Sequence, residues 1–371
     1  MTPISHLYLH VPFCPTICPY CDFHVVRRQA GWVEAYLKRL LEEAGQLAGL
    51  WPLELETIYL GGGTPSFLRD RELAALVEGL RAAVGWAGEV TLEVNPGTVS
   101  RARAELWREL GFTRASLGIQ SLDDQVLRFL GRTHSSRAAR EAASYLRQAG
   151  LRLSADLITA VPSQRLEREV ASYLELDLEH LSAYSLTVEE GTEFARRGVE
   201  VAEEDEREAF YRTEELLAEG GLLRYEISNY ARPGAESRHN LGYWTNAFYA
   251  ALGSSAAGHY PSERPGELAQ RRTAATLEGW LRGEGGEVLP VSPAQYASDA
   301  AFMGLRLERG IDLRALGGRT GLDLLGSWPQ LLRRPLEGGL LELQGGQLRA
   351  TRDGWWVLNQ LVTPLVEWSA G

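Results

Sequence analysis

The chain has 371 residues, a hydrophobic fraction of 44% and a formal net charge of −11 at pH 7, which gives room for two or three domains and material for a sizeable core. The acidic balance argues against a nucleic-acid binder that works by neutralising phosphates. Only Lys38 among the 38 basic residues is a lysine, so none is placed for a phosphate-binding loop, and no apolar run reaches the roughly 18 residues of a membrane span.

The first element is a short apolar run, Leu7-Tyr8-Leu9-His10-Val11, and it leads into Cys14-Pro-Thr-Ile-Cys18-Pro-Tyr20-Cys21. All three cysteines of the chain lie in this stretch, spaced C-x3-C-x2-C. Three thiolates can hold three irons of a [4Fe–4S] cube and leave the fourth iron open to an outside ligand. Two other readings compete. A zinc site could add His24 as a fourth ligand, although structural zinc sites usually split their ligands into two distant pairs. The thiols could also be buried and inert. A disulfide framework fails on the odd count. Reduced cysteines and a start unlike an export signal place the protein in the cytoplasm.

Downstream, apolar residues at helical spacing predict a helix over Trp32–Leu50. A run at Thr57–Leu60 stops at Gly61-Gly62-Gly63-Thr64-Pro65, and a helix follows from Asp70 to Val84. Val90–Val94 alternates like a strand and ends in Asn95-Pro96-Gly97-Thr98; Ser100 then caps a helix to Leu110. Further strands are expected at Arg114–Ile119, Leu151–Ile158 and His180–Leu186, separated by helices ending at Leu130, over Ser136–Ala149 and over Arg165–Leu176. Strands alternating with helices mean right-handed β-α units and a parallel sheet. Six units make a partial (β/α)6 barrel, an α/β fold whose chemistry gathers at the C-terminal strand ends. The cysteine loop, the glycine run, Glu93, Gln120 and Asp156 all fall at or near those ends.

Residues 202–230 read as one more helix and a strand at Leu223–Ile227. The stretch 231–268 reads as irregular, and within it lies His239-Asn240-Leu241-Gly242-Tyr243-Trp244. The tail reads as helices at 295–308 and 322–334, a β-hairpin around Gly345-Gly346, and a last helix from Arg352 to about Val366. That is a smaller winged-helix-like α+β domain, read as a packing module because the chain is acidic. The expected division is a barrel at 1–230, a connecting segment at 231–292 and the tail domain at 293–371.

The glycine run lets backbone approach a ligand closely. Glu93, Gln120 and Asp156 can accept hydrogen bonds from an amino group or ribose hydroxyls, and Arg132 can pair with a carboxylate. The cysteine run, together with Tyr8–Cys14, Gly61–Pro65, Glu93–Thr98, Ser116–Ser121 and Gly131-Arg132-Thr133-His134, resembles the coproporphyrinogen III oxidase-like branch of radical S-adenosylmethionine proteins. The resemblance implies a [4Fe–4S] cluster on Cys14, Cys18 and Cys21. It implies S-adenosylmethionine contacts from Tyr8, Tyr20, Gly62, Gly63, Thr64, Glu93, Gln120, Arg132 and Asp156. In such proteins a cluster electron cleaves the sulfonium to yield a 5′-deoxyadenosyl radical.

Within that branch, the anaerobic oxidases carry a C-x-C ending to the cluster motif and a long extension before it. Here Asp22-Phe23 follows Cys21, and 13 residues precede Cys14. The run at 239–244 is similar to the H-N-x-x-Y-W motif of the branch's heme chaperones. The resemblance therefore implies a protein that binds heme and delivers it to an acceptor hemoprotein, with respiratory-chain cytochromes as one class, and a homodimer is compatible with it. The alternatives are an oxygen-independent coproporphyrinogen III oxidase or another radical enzyme. His239 is the expected axial ligand, with Arg238 facing a propionate and Tyr243 and Trp244 supplying flat faces; His259 and His24 are the alternative ligands. The chain departs from the branch at four positions. Ala160 and Ser255 stand where glycine is usual, Ala257 where a histidine would be, and His24 where a small or polar residue is common.

Overall fold

A computed structural model of the chain describes residues 2–29 and 31–370. β1 (Ile4–Val11) opens the chain, and a short parallel pair, β2 (Phe13–Cys14) and β3 (Val26–Arg27), brackets the cysteine loop. β4 (Leu53–Gly62), β5 (Glu89–Val94), β6 (Arg114–Gln120), β7 (Arg152–Thr159) and β8 (His180–Ser185) follow, each pairing in parallel with the strand before it in the order β1-β4-β5-β6-β7-β8. The six expected β-α units are therefore present.

Period-two alternation separates the two faces of this sheet. Ile58 and Leu60, Leu92 and Val94, Leu117 and Ile119, and Leu153, Ala155 and Leu157 point outward into the core under the helices. The intervening positions point into the lumen: Tyr59, Thr91, Glu93, Arg114, Ser116, Ser154, Asp156 and Ser182 line an internal cavity of about 400 Å³. At its floor the buried Arg114 donates to Ser154 Oγ and to the Ala235 carbonyl, with Glu89 3.7 Å away.

The sheet extends past the barrel on both edges. β9 (Leu223–Glu226) and β10 (Asn229–Ala231) form a hairpin, and β10 lies antiparallel on β8. On the other edge β11 (Tyr249–Leu252) runs parallel to β1, followed by β12 (Ala257–Pro261), β13 (Ala269–Thr273) and β14 (Glu287–Val291) in antiparallel order, completing a 12-stranded sheet. The irregular reading of 231–268 is corrected here. The stretch holds a helix at Arg238–Trp244 as well as β11 and β12. Seven residues containing a glycine give too little periodicity to register, and β11 is a four-residue strand whose partner lies over two hundred residues away.

The tail packs its own core around Trp328, Leu348, Trp355 and Leu365. Helix Pro293–Gly304 leads to β15 (Ile311–Asp312). After three short helices come β16 (Leu341–Gln344) and β17 (Gln347–Ala350), which form an antiparallel sheet in the order β15-β17-β16. This is the expected winged-helix-like α+β unit. It meets the barrel at Arg224, whose guanidinium lies 4.0 Å from the centre of the Phe210 ring and 5.4 Å from that of Trp355.

Ala160 and Ser255, the two positions at which the resemblance implies glycine, adopt left-handed backbone conformations with φ of 56° and 57°. A Cβ there costs about 1–2 kcal/mol. Glycine removes that cost but adds about 0.5–1 kcal/mol of unfolded-chain entropy. Ala160→Gly and Ser255→Gly are each expected to raise stability by about 0.5–1 kcal/mol, read as a higher denaturation midpoint with an unchanged slope.

Candidate functional site at the mouth of the barrel

The site is built from strand ends. β1 ends at Val11, whose carbonyl accepts from Gly63 N at 2.9 Å, and the Phe13 carbonyl accepts from Thr64 N at 3.0 Å. The glycine loop after β4 is thus laced to the start of the cysteine loop. Glycine is required here for contact within the chain itself. Gly62 has φ 104° and a Cβ would lie 2.4 Å from His10 Nδ1; a Cβ on Gly63 would lie 2.7 Å from the Pro12 carbonyl carbon. The cysteine loop closes on itself through Cys21 N to Cys18 O at 3.0 Å and Val26 N to Pro12 O at 2.8 Å.

One cavity is lined by Cys14, Cys18, Cys21, Tyr20, Gly62, Gly63, Thr64, Glu93, Gln120, Arg132 and Asp156. The sequence-predicted set therefore converges, with two exceptions. Tyr8 is set back from the cavity, its hydroxyl 3.0 Å from His10 Nδ1 and its ring stacked on Tyr59. His239 lies in the barrel wall, on helix 238–244, and is 1% exposed. Its Nδ1 is 2.6 Å from Thr57 Oγ1 and its Nε2 is 2.8 Å from Tyr243 Oη, so both ring nitrogens are engaged. Arg238 pairs with Glu56 on the surface at 2.7 Å. His259 is buried against the Ala247 carbonyl, and Ala257, exposed at the start of β12, brings no ligand.

Arg132 organises the sulfur side. It donates to Cys18 Sγ at 3.5 Å and to the Gly118 carbonyl at 2.7 Å. Thr64 Oγ1 lies 3.5 Å from Cys14 Sγ. Burial pushes the Cys14 thiol up and the Cys21 thiol up to about 11. Such thiols become thiolates when a metal displaces their protons. Among the described residues no three His, Cys, Asp or Glu side chains gather tightly enough for a single ion. His24 is exposed on the same loop. The three cysteines line one cavity, with the Arg132 guanidinium on Cys18 Sγ, a donor set that fits three irons of an iron–sulfur cube.

The carboxylates form the opposite wall. Glu93 Oε1 accepts from Tyr59 Oη at 2.9 Å and Oε2 from Gly62 N at 3.0 Å. Burial raises Glu93 to about 7 and Asp156 to about 6. Two carboxyls held up by desolvation regain ionisation when a cationic group arrives between them. Gln120 sits at the end of β6 with φ 70°, a strained position of the kind found at ligand sites. Sequence reasoning missed Tyr59, which holds Glu93, and Ser66, whose hydroxyl accepts from Asn95 N at 3.1 Å and Thr98 Oγ1 at 2.8 Å. Tyr59 could have been found from its alternation with Ile58 and Leu60, which turns it inward.

After anaerobic reconstitution we expect about four irons and four sulfides per chain. Cys14→Ala, Cys18→Ala and Cys21→Ala should each abolish the charge-transfer absorption. Stoichiometric zinc, with no such absorption, would overturn the cluster reading.

The radical SAM superfamily profile matches residues 8–174, and that of the HemN C-terminal domain matches residues 291–357. The chain is 30% identical to the heme chaperone HemW of Bacillus subtilis, over 95% of this chain and 97% of that protein. It is 37% identical to HemW of Escherichia coli over 70% of each. It is 34% identical to the bovine mitochondrial radical S-adenosyl methionine domain-containing protein 1, over 97% of this chain and 87% of that one. Coproporphyrinogen III oxidase (HemN) of Escherichia coli superposes with a TM-score of 0.83 over 98% of this chain and 90% of its own, at 18% identity, which shows a shared fold. The chain belongs to the HemW family of radical SAM proteins.

Proposed function

We propose that this protein binds heme and transfers it to an acceptor hemoprotein in the cytoplasm, on a scaffold that holds a [4Fe–4S] cluster and S-adenosylmethionine. The observation that carries the reading is likeness to HemW proteins that runs through barrel and tail alike. Cys14, Cys18 and Cys21 would hold the cluster, and when bound it supplies one-electron reduction. Glu93 and Asp156 would meet the ammonium group of adenosylmethionine, Gln120 its ribose, and Arg132 its carboxylate. Gly62, Gly63 and Thr64 would let it approach the loop after β4, and Tyr20 would cover it. Among the described residues no helix is long and apolar enough to cross a membrane.

Heme asks for something other than these carboxylates and the guanidinium. It needs apolar surface and an imidazole with a free nitrogen. Of the seven histidines, His6, His10, His134, His180, His239 and His259 are buried, leaving His24 as the exposed one. Its loop also carries Phe23, 67% exposed, and Ile17, 40% exposed. We therefore assign the axial ligand to His24 in this conformation, and His239 becomes a ligand only if its helix unpacks.

Titrating the protein with hemin should produce a bound Soret band, and adding a heme-free cytochrome should move the heme onto it. Coproporphyrinogen III should yield no protoporphyrinogen, given Asp22-Phe23 after Cys21. His24→Ala should shift the Soret band and His239→Ala should not. The reverse pattern would return the ligand to His239. Robust decarboxylation without heme transfer would replace the chaperone reading with the oxidase one.

A further inference from the structure

The H-N-x-x-Y-W helix touches the cavity through a short path of side chains. Thr57 and Tyr59 lie two residues apart on β4 and so share the inward face. Thr57 Oγ1 meets His239 Nδ1 at 2.6 Å and His6 Nδ1 at 2.8 Å. Tyr59 stacks on the His239 ring with centroids 5.1 Å apart and planes at 24°. Tyr59 Oη then donates to Glu93 Oε1 at 2.9 Å, and Glu93 faces the cavity of the three cysteines. His239 is fixed from every side. Its backbone N–H donates to Glu89 Oε1 at 3.3 Å, its Nε2 meets Tyr243 Oη, and the His6 ring stands edge-on at 5.9 Å.

Thr57 has one hydroxyl hydrogen and two acceptor lone pairs and stands between two imidazoles, so at most one ring accepts from it and at least one donates to it. In either tautomer a neutral His239 spends both nitrogens on Thr57 and Tyr243. Burial pushes its pKa down to about 3, which keeps it neutral. A neutral, immobile ring with no free nitrogen is suited to holding its neighbour in place.

We propose that His239 is a positioning residue for the cavity: it clamps the Tyr59 ring, and Tyr59 in turn fixes the Glu93 carboxylate toward the adenosylmethionine ammonium. The inference rests on the reading of Glu93 as an adenosylmethionine contact. It gives the motif helix a task at the cluster end of the molecule, separate from heme ligation.

The test uses the full chain with its cluster reconstituted. Adenosylmethionine affinity is measured by equilibrium dialysis and by the change that the ligand makes in the electron paramagnetic resonance spectrum of the reduced cluster. His239→Ala and Tyr59→Phe should each weaken binding about tenfold, the size typical of losing a supporting partner. Iron content and the spectrum without ligand should stay as in wild type. The double variant should be no weaker than the weaker single one, because both break one path. Tyr59→Phe keeps the ring and removes only the hydroxyl, so it reports even if His239→Ala fails to fold. If Glu93→Gln weakens binding while Tyr59→Phe stays within twofold of wild type, the positioning role is wrong and the Glu93 contact stands. If Glu93→Gln has no effect, the contact itself is wrong and the inference goes with it.

Discussion

The hydrogen bonds to Glu93 are the constraint on which the site's geometry depends. A carboxylate at a strand end in a low-dielectric wall tends to take up a proton, and here burial raises it to about 7. The Tyr59 hydroxyl and the Gly62 N–H oppose that tendency, and they also fix where the oxygens sit. Each partner carries a further requirement. Gly62 can reach Glu93 only in a backbone conformation that leaves no room for a side chain beside His10. The next residues, Gly63 and Thr64, donate to Val11 and Phe13, so the loop that serves the carboxylate also anchors the first cysteine. One carboxylate on the cavity wall thereby ties together β1, β4, β5 and the cysteine loop. Cluster ligands and carboxylate wall are mutually positioned because they hang on the same three residues, Gly62, Gly63 and Thr64.

Much of this was legible in the sequence because it is local. Strand-helix alternation marks the β-α units, and a polar residue just where an apolar run stops marks the rim. Ser100 caps its helix with a side-chain oxygen that accepts from Arg103 N, and such a cap is a readable signal. What stayed hidden is non-local or short. β11 is Tyr-Ala-Ala-Leu, and what makes it a strand is the edge of β1, not its own composition. Helix 238–244 shows only its cap, Ser237, before a run whose aromatic residues suggest a binding surface. Tyr243 packs edge-on to Tyr249 and to the His239 ring, and Trp244 is half-buried at the lining of a second pocket. Motif likeness identifies the family correctly, but it does not say which way a side chain points.

The tail domain belongs to the same mechanical unit as the barrel through a cationic centre. Arg224 on β9 donates to the Tyr230 hydroxyl and to the Phe210 carbonyl, and its plane lies among the rings of Phe210, Tyr230 and Trp355. Aromatic faces favour a guanidinium that is otherwise costly to bury. Trp355 comes from the tail and Tyr230 from β10, so the contact joins the tail's core to the edge of the main sheet. The tail side thus meets the edge strand β9, where Glu226 forms an antiparallel bridge with Leu307, and exposed edge strands are a liability that a covering element removes.

The lumen presents Ser116, Ser154, Ser182, Asp156 and Arg114 beside Tyr59, Ile158, Tyr184 and Leu186, and a ligand that covers the polar members must replace the hydrogen bonds they make to water. A nucleoside with an amino-acid end can repay those groups with its own donors and acceptors; a porphyrin face cannot. The apolar side chains exposed near the mouth, Ile17 and Phe23, belong to the cysteine loop itself and also line the cavity of the three cysteines. Cys18 and Cys21 line that cavity, while His24, three residues on, is exposed to solvent. A metal that ties down three cysteines orders the same loop that presents the imidazole, since ligand binding and local folding are coupled when the ligands lie on a single short segment.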